Sequence, residues 1–340
     1  MSEAPTIYVL IPVFNRLIHT QGILECLRRQ KSVDTRIVII DDGSTDGTRE
    51  FLAAQKDVMT LRGSGELWWA GAIHLALKTI HPLLKSGDFF IFVNNDTKMD
   101  DSFLLELAST SITNRRSAVG SAVYDFKSNK LLSIGPKSNL WDMAIWDILR
   151  DIPENALLNL NHVYKVDFLP GRGSLYPAEV LDSIGYMRPY LLPHYHADYE
   201  FSDRARRSGV KLLVSTKAKI YSTETFGNEQ KIISSYWSKT FSKGSIENPF
   251  HRAIMFCLIG SPAQRLTAIP RILYSYVDRM LHPIKVFISR YIKFVIRIIL
   301  NVIRRIAKLI LKVIRRIAKL ILKVIRRIAK LILKVIRKMY

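Results

Sequence analysis

Ile37-Val38-Ile39-Ile40-Asp41-Asp42-Gly43-Ser44 is the stretch that decides the fold. Four β-branched residues in a row, with no polar alternation, predict a strand buried on both faces, as in a parallel sheet covered by helices. The run stops at two carboxylates and a glycine. A second run, Phe89-Phe90-Ile91-Phe92-Val93, stops in the same way at Asn94-Asn95-Asp96-Thr97. Open parallel sheets bind ligands beyond the carboxyl ends of their strands, so two acidic clusters there point to a site for a nucleotide and its metal.

Working outward, residues 7 to 11 predict a first strand, Ile18 to Gln30 a helix, and Asp46 to Gln55 a second helix capped by Ser44. Helical spacing returns over Ala70 to Leu84 and from Asp101 to Ser109, the latter behind acidic residues suited to a helix N-terminus. Strand alternating with helix at this spacing predicts an α/β fold, a doubly wound and mostly parallel sheet flanked by helices. Between Val119 and Ser222 the pattern mixes short strands (Val119 to Val123, Val163 to Phe168, Lys211 to Val214) with helices at Ala178 to Ile184 and Tyr199 to Ser208. The expected division is a catalytic domain over 1–250, a helical linker over 251–282 and a basic helix over 283–340.

The chain has 340 residues, is 48% hydrophobic and carries a formal charge of +22. Such a charge suggests a nucleic-acid binder until it is located. Residues 283–340 hold 18 of the 51 basic residues and none of the 29 acidic ones, which leaves the remainder near neutrality. Within that tail Val-Ile-Arg-Arg-Ile-Ala-Lys-Leu-Ile-Leu-Lys occurs at 302–312, 313–323 and 324–334. On a helix its four basic positions fall within roughly 100° of arc and the apolar ones fill the rest. An eleven-residue period returns in phase after three turns, so the stripe stays straight. Basic residues at i and i+4 repel with nothing acidic to offset them. The tail is therefore expected to lie on an anionic membrane surface. A right-handed oligomeric coiled coil is the alternative, and nucleic acid is disfavoured because stacking aromatics are scarce.

Only Cys26 and Cys257 are present, which fits a reducing cytoplasm and provides no cysteine metal motif. Neither a signal peptide nor a spanning segment of about 20 apolar residues is evident, so the expected location is peripheral, at the cytoplasmic face of the cell membrane.

Four segments together carry a resemblance: Ile11-Pro12-Val13-Phe14-Asn15-Arg16, Ile39 to Thr48 with its Asp-Asp-Gly-Ser-Thr-Asp-Gly core, Val93-Asn94-Asn95-Asp96-Thr97, and Ala197-Asp198-Tyr199-Glu200-Phe201-Ser202-Asp203-Arg204. In order and spacing they resemble the family 2 glycosyltransferases, inverting enzymes of the GT-A fold, over roughly residues 6 to 225. The pattern resembles that of rhamnosyltransferase-like members. The resemblance implies a dTDP-rhamnose or UDP-hexose donor, a glycan acceptor carried on a polyprenyl diphosphate, and bacterial cell-surface polysaccharide as the product.

It also implies roles for particular residues. Pro12, Phe14, Asn15 and Arg16, with Asp41 and Asp42, would cradle base and ribose, and Asn95 would face the donor. Apart from the resemblance, the Gly171-Arg172-Gly173 turn allows close backbone approach to a ligand and leaves Arg172 to meet a donor phosphate, a plain turn being the alternative. Asp96 matches the last acid of the family's Asp-x-Asp motif and would ligate Mg²⁺ or Mn²⁺, with Asn94 offering a carbonyl where the motif has its first acid. Asp198 matches the aspartate that acts as base on the acceptor hydroxyl, although Ala197 replaces the Glu before it. Tyr221-Ser222-Thr223 stands where many relatives have a histidine ligand, so no third metal ligand is expected. Trp68 and Trp69, with His194 and His196, are expected near the acceptor, where an aromatic face suits a sugar ring. Glu200 and Arg204, four apart on a helix, are expected to form an ion pair. Rival functions are nucleotidyl transfer that makes a sugar-nucleotide, and a non-enzymatic scaffold that coats membranes or oligomerises.

Overall fold

The computed structural model of the chain describes residues 5–159, 162–222, 240–246 and 248–339. Most of the polar 223–250 stretch, Thr223 included, lies outside the described residues.

The chain opens with β1 (Thr6–Val13), α1 (Leu17–Arg28), β2 (Asp34–Asp41), α2 (Thr48–Ala53), β3 (Val58–Arg62), α3 (Trp68–Ile80) and β4 (Phe89–Phe92). It continues through β5 (Lys98–Met99), α4 (Phe103–Thr113), β6 (Ser117–Asp125), β7 (Leu131–Ser133) and the hairpin β8 (Pro136–Asn139) and β9 (Ala144–Asp147). Then come β10 (Val163–Lys165), β11 (Ser174–Pro177), α5 (Val180–Ile184), α6 (Ala197–Arg207), β12 (Lys211–Ser222), α7 (Pro249–Ile259) and α8 (Pro262–Met339).

The main sheet runs in the order β10-β12-β6-β11-β4-β1-β2-β3. β1 is parallel to both β2 and β4, β2 to β3, and β6 to β12, whereas β11 is antiparallel to both its neighbours. The sheet is thus mixed: β1 to β4, β6 and β12 run one way, while β11, inserted between β4 and β6, and the short β5, β7 and β10 run the other. Period-two alternation sorts its apolar residues between two cores. Val9, Ile11, Ile39 and Ile91 face α1 and α4, while Leu10, Val38, Ile40, Phe90 and Phe92 face α3 and α6. Both faces are covered, which explains why these strands show no polar alternation. At the end of β4, Phe90 stacks on Tyr176 at 5.4 Å and Phe92 meets Phe201 edge-on at 5.5 Å. That aromatic cluster fixes the strand from which the Asn94-Asn95-Asp96 turn leaves.

The chain divides into two units, Met1–Ser275 and Tyr276–Tyr340. Much of the expected linker therefore belongs to the first unit, where Met255, Phe256, Ile259 and Ala268 are buried with Ala70 and Phe168. The second unit is helical over the described residues, and from Arg297 to Val324 its apolar and basic side chains are exposed alike. Among the described residues no helix is long and apolar enough to cross a membrane.

Ser44 does not cap α2. Its hydroxyl accepts from the backbone N–H of Asn15, and Asp46 accepts instead from the N–H and hydroxyl of Thr48 at the helix start.

Candidate active site

The loops after β1 and β2 start level, because Val13 pairs with Asp41. Pro12 lies beyond Leu10, the last β1 residue paired with β4, so its missing N–H interrupts no ladder there. Asn15 takes a left-handed conformation (φ 49°) and joins the two loops. Its N–H donates to Ser44 Oγ at 2.9 Å, and its Oδ1 accepts from the Thr45 N–H at 2.7 Å. Phe14 projects into solvent, and Arg16 opens the first turn of α1.

Asp41 and Asp42 are buried and act first on the backbone. Asp41 accepts from the Ser44 N–H at 2.9 Å. Asp42 accepts from Gly65 at 2.8 Å, Leu67 at 2.9 Å and Trp68 at 3.1 Å. Charge-assisted bonds of this kind are the strong ones. The Asp42 carboxylate holds the 65–68 loop against the end of β2. Gly63 is needed there, since a side chain would strike the Asp42 carboxylate.

The turn after β4 divides its three polar residues. Asn94 Oδ1 accepts from Trp69 Nε1 at 3.1 Å. Asn95 is buried and donates to Thr20 Oγ1 at 3.3 Å, so it braces α1. Asp96 keeps 32% of its side chain exposed and pairs with Arg16 Nη1 at 2.7 Å.

The third element is the Pro170 to Gly173 loop facing the start of α6. Asp198 accepts from the Gly171 N–H at 2.7 Å and from the Tyr199 N–H at 2.9 Å. Part of its surface still reaches solvent, yet loss of hydration is the largest influence on it and raises its pKa above the usual carboxylate range, against the pull of those N–H groups and of Arg172. The Arg172 guanidinium lies within electrostatic reach of both Asp96 and Asp198, and burial lowers its pKa. The turn after β4 and the Pro170 to Gly173 loop are joined through Trp69, which bonds Asn94 and fills the space beside Gly171, and the Gly171 N–H reaches Asp198.

The tandem tryptophans take different places. Trp69 packs edge-on against Phe92 at 5.8 Å, and its ring occupies the space a side chain at Gly171 would fill. Trp68, left-handed at φ 56° and 41% exposed, meets His194 edge-on at 5.8 Å and lies close against Gly244. Burial lowers the pKa of His194 and of His196 to about 4. Both are neutral at pH 7 and offer a phosphate no fixed charge. Glu200, deeply buried, receives Arg204 Nε at 2.8 Å and Arg188 Nη1 at 3.1 Å. It therefore orients α6 and does not face the site.

Sequence patterns missed a cavity of about 190 Å³ beside Arg172 and Tyr199, walled by Trp146, Asp147 and Ile145 of the β8–β9 hairpin and by Pro170. The tight Gly171-Arg172-Gly173 turn was its only sequence signal.

A divalent cation fits the turn after β4 by its donor chemistry. Asp96 and Asn94 offer hard oxygen atoms on one turn, and an ion of this class commonly takes one or two protein oxygens and completes its shell with substrate phosphates. Among the described residues no cluster of three histidine, cysteine or carboxylate ligands exists.

Residues 8–185 match the family described as Glycosyl transferase family 2. The chain belongs to that family and has the GT-A fold. Its structure is similar to the crystal structure of S. aureus TarS, with a TM-score of 0.50, 15% identity, and coverage of 81% of this chain and 43% of that one. It is also similar to GalNAc-T7, solved with UDP, GalNAc and Mn²⁺, at a TM-score of 0.51 and 14% identity, covering 66% of this chain and 44% of that one. The chain thus spans under half the length of either structure, and likeness at such identity concerns the fold alone.

Proposed function

We propose that the chain is an inverting glycosyltransferase that moves a sugar from a nucleotide-sugar to a glycan acceptor. The observation that carries this reading is Arg172, whose guanidinium stands within reach of both Asp96 and Asp198. One group would handle the leaving diphosphate and the other the attacking hydroxyl, on either side of a reacting sugar. Membership of the family and the likeness to GalNAc-T7, solved with a nucleotide, a sugar and Mn²⁺, support it.

In this mechanism Asp198 takes the acceptor's hydroxyl proton as its oxygen attacks the anomeric carbon from the face opposite the diphosphate. The carbon–oxygen bond to the diphosphate breaks, its electron pair leaves with the phosphate, and the configuration inverts. A raised pKa makes Asp198 a stronger base than an ordinary carboxylate. Arg16 and Arg172 supply fixed positive charge to the leaving group. A bound Mg²⁺ or Mn²⁺ at Asp96 and Asn94 would neutralise charge on that diphosphate.

The donor we assign is dTDP-rhamnose, with a UDP-hexose next, and the acceptor a polyprenyl-diphosphate-linked glycan of bacterial cell-surface polysaccharide assembly. The tail supports that choice of acceptor. Its exposed basic and apolar stripe suits the anionic cytoplasmic face of the cell membrane, where such a lipid-linked glycan is concentrated.

The test is release of nucleoside diphosphate from a panel of nucleotide-sugars by the full chain. One donor should be consumed, and Asp198→Asn should lose on the order of 10² to 10⁴ in rate while still binding it. Consumption unaffected by Asp198→Asn would end this reading, as would sugar 1-phosphate and nucleoside triphosphate serving as substrates instead.

A further inference from the structure

Arg16 and Asp96 lie 80 residues apart in sequence and meet at 2.7 Å. The backbone delivers Arg16 to that place. The left-handed Asn15 before it is tied to Ser44 and Thr45, and the Arg16 carbonyl accepts from both the N–H (2.9 Å) and the hydroxyl (2.8 Å) of Thr20. Arg16 is the cation in direct contact with Asp96, Arg172 acts on it from farther off, and Asn94 contributes no charge while its Oδ1 already accepts from Trp69.

One carboxylate therefore faces two kinds of cation. A guanidinium and a dication drawn to the same carboxylate repel each other at contact range. A nucleoside diphosphate changes that balance, because it offers Arg16 a forked anionic partner and offers a cation further oxygens. The geometry points to competition: Arg16 occupies Asp96 until the diphosphate of the donor draws the guanidinium away, so that the divalent cation enters with the nucleotide and binds poorly before it. Arg16 is then a positioning residue that couples the two binding events, and the coupling is reciprocal. The inference rests on Asp96 as a metal ligand, the role given it above.

A part-exposed ion pair shifts an equilibrium only several-fold, and the test is scaled to that. Free Mn²⁺ is followed by its electron paramagnetic resonance signal during titration into the full chain, alone and with inorganic pyrophosphate, corrected for ion held by pyrophosphate in solution. Arg16→Gln should bind Mn²⁺ alone about three- to fivefold more tightly than the wild type. The tightening that pyrophosphate brings should shrink by the same factor. Arg16→Lys, which keeps a charge, should stay within about twofold of the wild type, and Arg16→Met, which removes the charge but keeps an apolar stem, should tighten Mn²⁺ binding as Arg16→Gln does and gives the answer if Arg16→Gln does not fold. Equal Mn²⁺ affinity in wild type and Arg16→Gln, with Asp96→Asn abolishing binding in both, overturns the competition but leaves Asp96 a ligand. Binding that survives Asp96→Asn overturns the assignment of the metal site itself, and the competition with it.

Discussion

Trp69 Nε1 donates to Asn94 Oδ1 at 3.1 Å, and the same indole ring fills the space beside Gly171, whose N–H holds Asp198. A single side chain thus sets the spacing between the turn that carries Asp96 and the loop that carries Arg172.

Trp69→Phe keeps most of the ring and removes the donor. Losing one buried hydrogen bond corresponds to about 1 kcal/mol, so the transfer rate should fall about fivefold if Asn94 drifts. Gly171→Ala pushes a methyl group into the ring and should cost more, on the order of 10²-fold, since a displacement of about 1 Å can do so. Initial rates at saturating donor measure both, and wild-type rates in Trp69→Phe would show that the bond to Asn94 sets nothing.

Stability should decline between pH 6.5 and 4. Burial holds His194 and His196 at about 4 in the folded chain, below the ordinary histidine value near 6.5. Within that window the unfolded chain binds more protons, so the stabilisation is complete above the unfolded value and fades as pH falls. Asp198 works in the opposite direction, since a folded pKa raised by burial favours folding as the pH drops. Thermal midpoints at pH 7.5 and 5 should therefore converge in the doubly substituted His194→Gln, His196→Gln chain. An unchanged gap between them would remove the histidines as the cause.

Glu200→Ala should destabilise the first unit by about 3 kcal/mol, because removing one partner of a buried ion pair strands the other. Arg204 is the stranded group, with Tyr186 carbonyl left as one of its partners at 2.8 Å. Urea unfolding gives the number, and a loss below about 1 kcal/mol would mean that the pair is as weak as a surface one.

Truncation after Leu281 should leave donor binding intact and abolish flotation with vesicles rich in anionic lipid. Raised salt should loosen the full chain from the same vesicles, since exposed charges are screened over about 10 Å at 0.1 M. Equal flotation with and without the tail would reject it as the anchor.

The sheet centre was legible because Ile37 to Ile40 and Phe89 to Phe92 are covered on both faces, a condition that composition alone records. β3 was not: Val58–Arg62 is an edge strand with three residues half-buried and two exposed, so it lacks the fully buried run that marks the central strands. β11 hid for a different reason, since Ser174–Pro177 follows a glycine pair that reads as a loop. β12 continued past Val214 because an irregularity between Ser215 and Lys219 lets pairing with β6 resume. At the site, residue types were readable but directions were not. Asp42 and Asn95 sit on turns, where no periodicity says which way a side chain points, and both turned toward the protein.

The straight eleven-residue stripe of the tail has a consequence for how such a chain can change. Duplicating one unit in the gene adds about 16 Å of reach and rotates nothing. The distance the tail spans can thus be adjusted in whole steps by copying, without reshaping the enzyme body or inventing a new sequence.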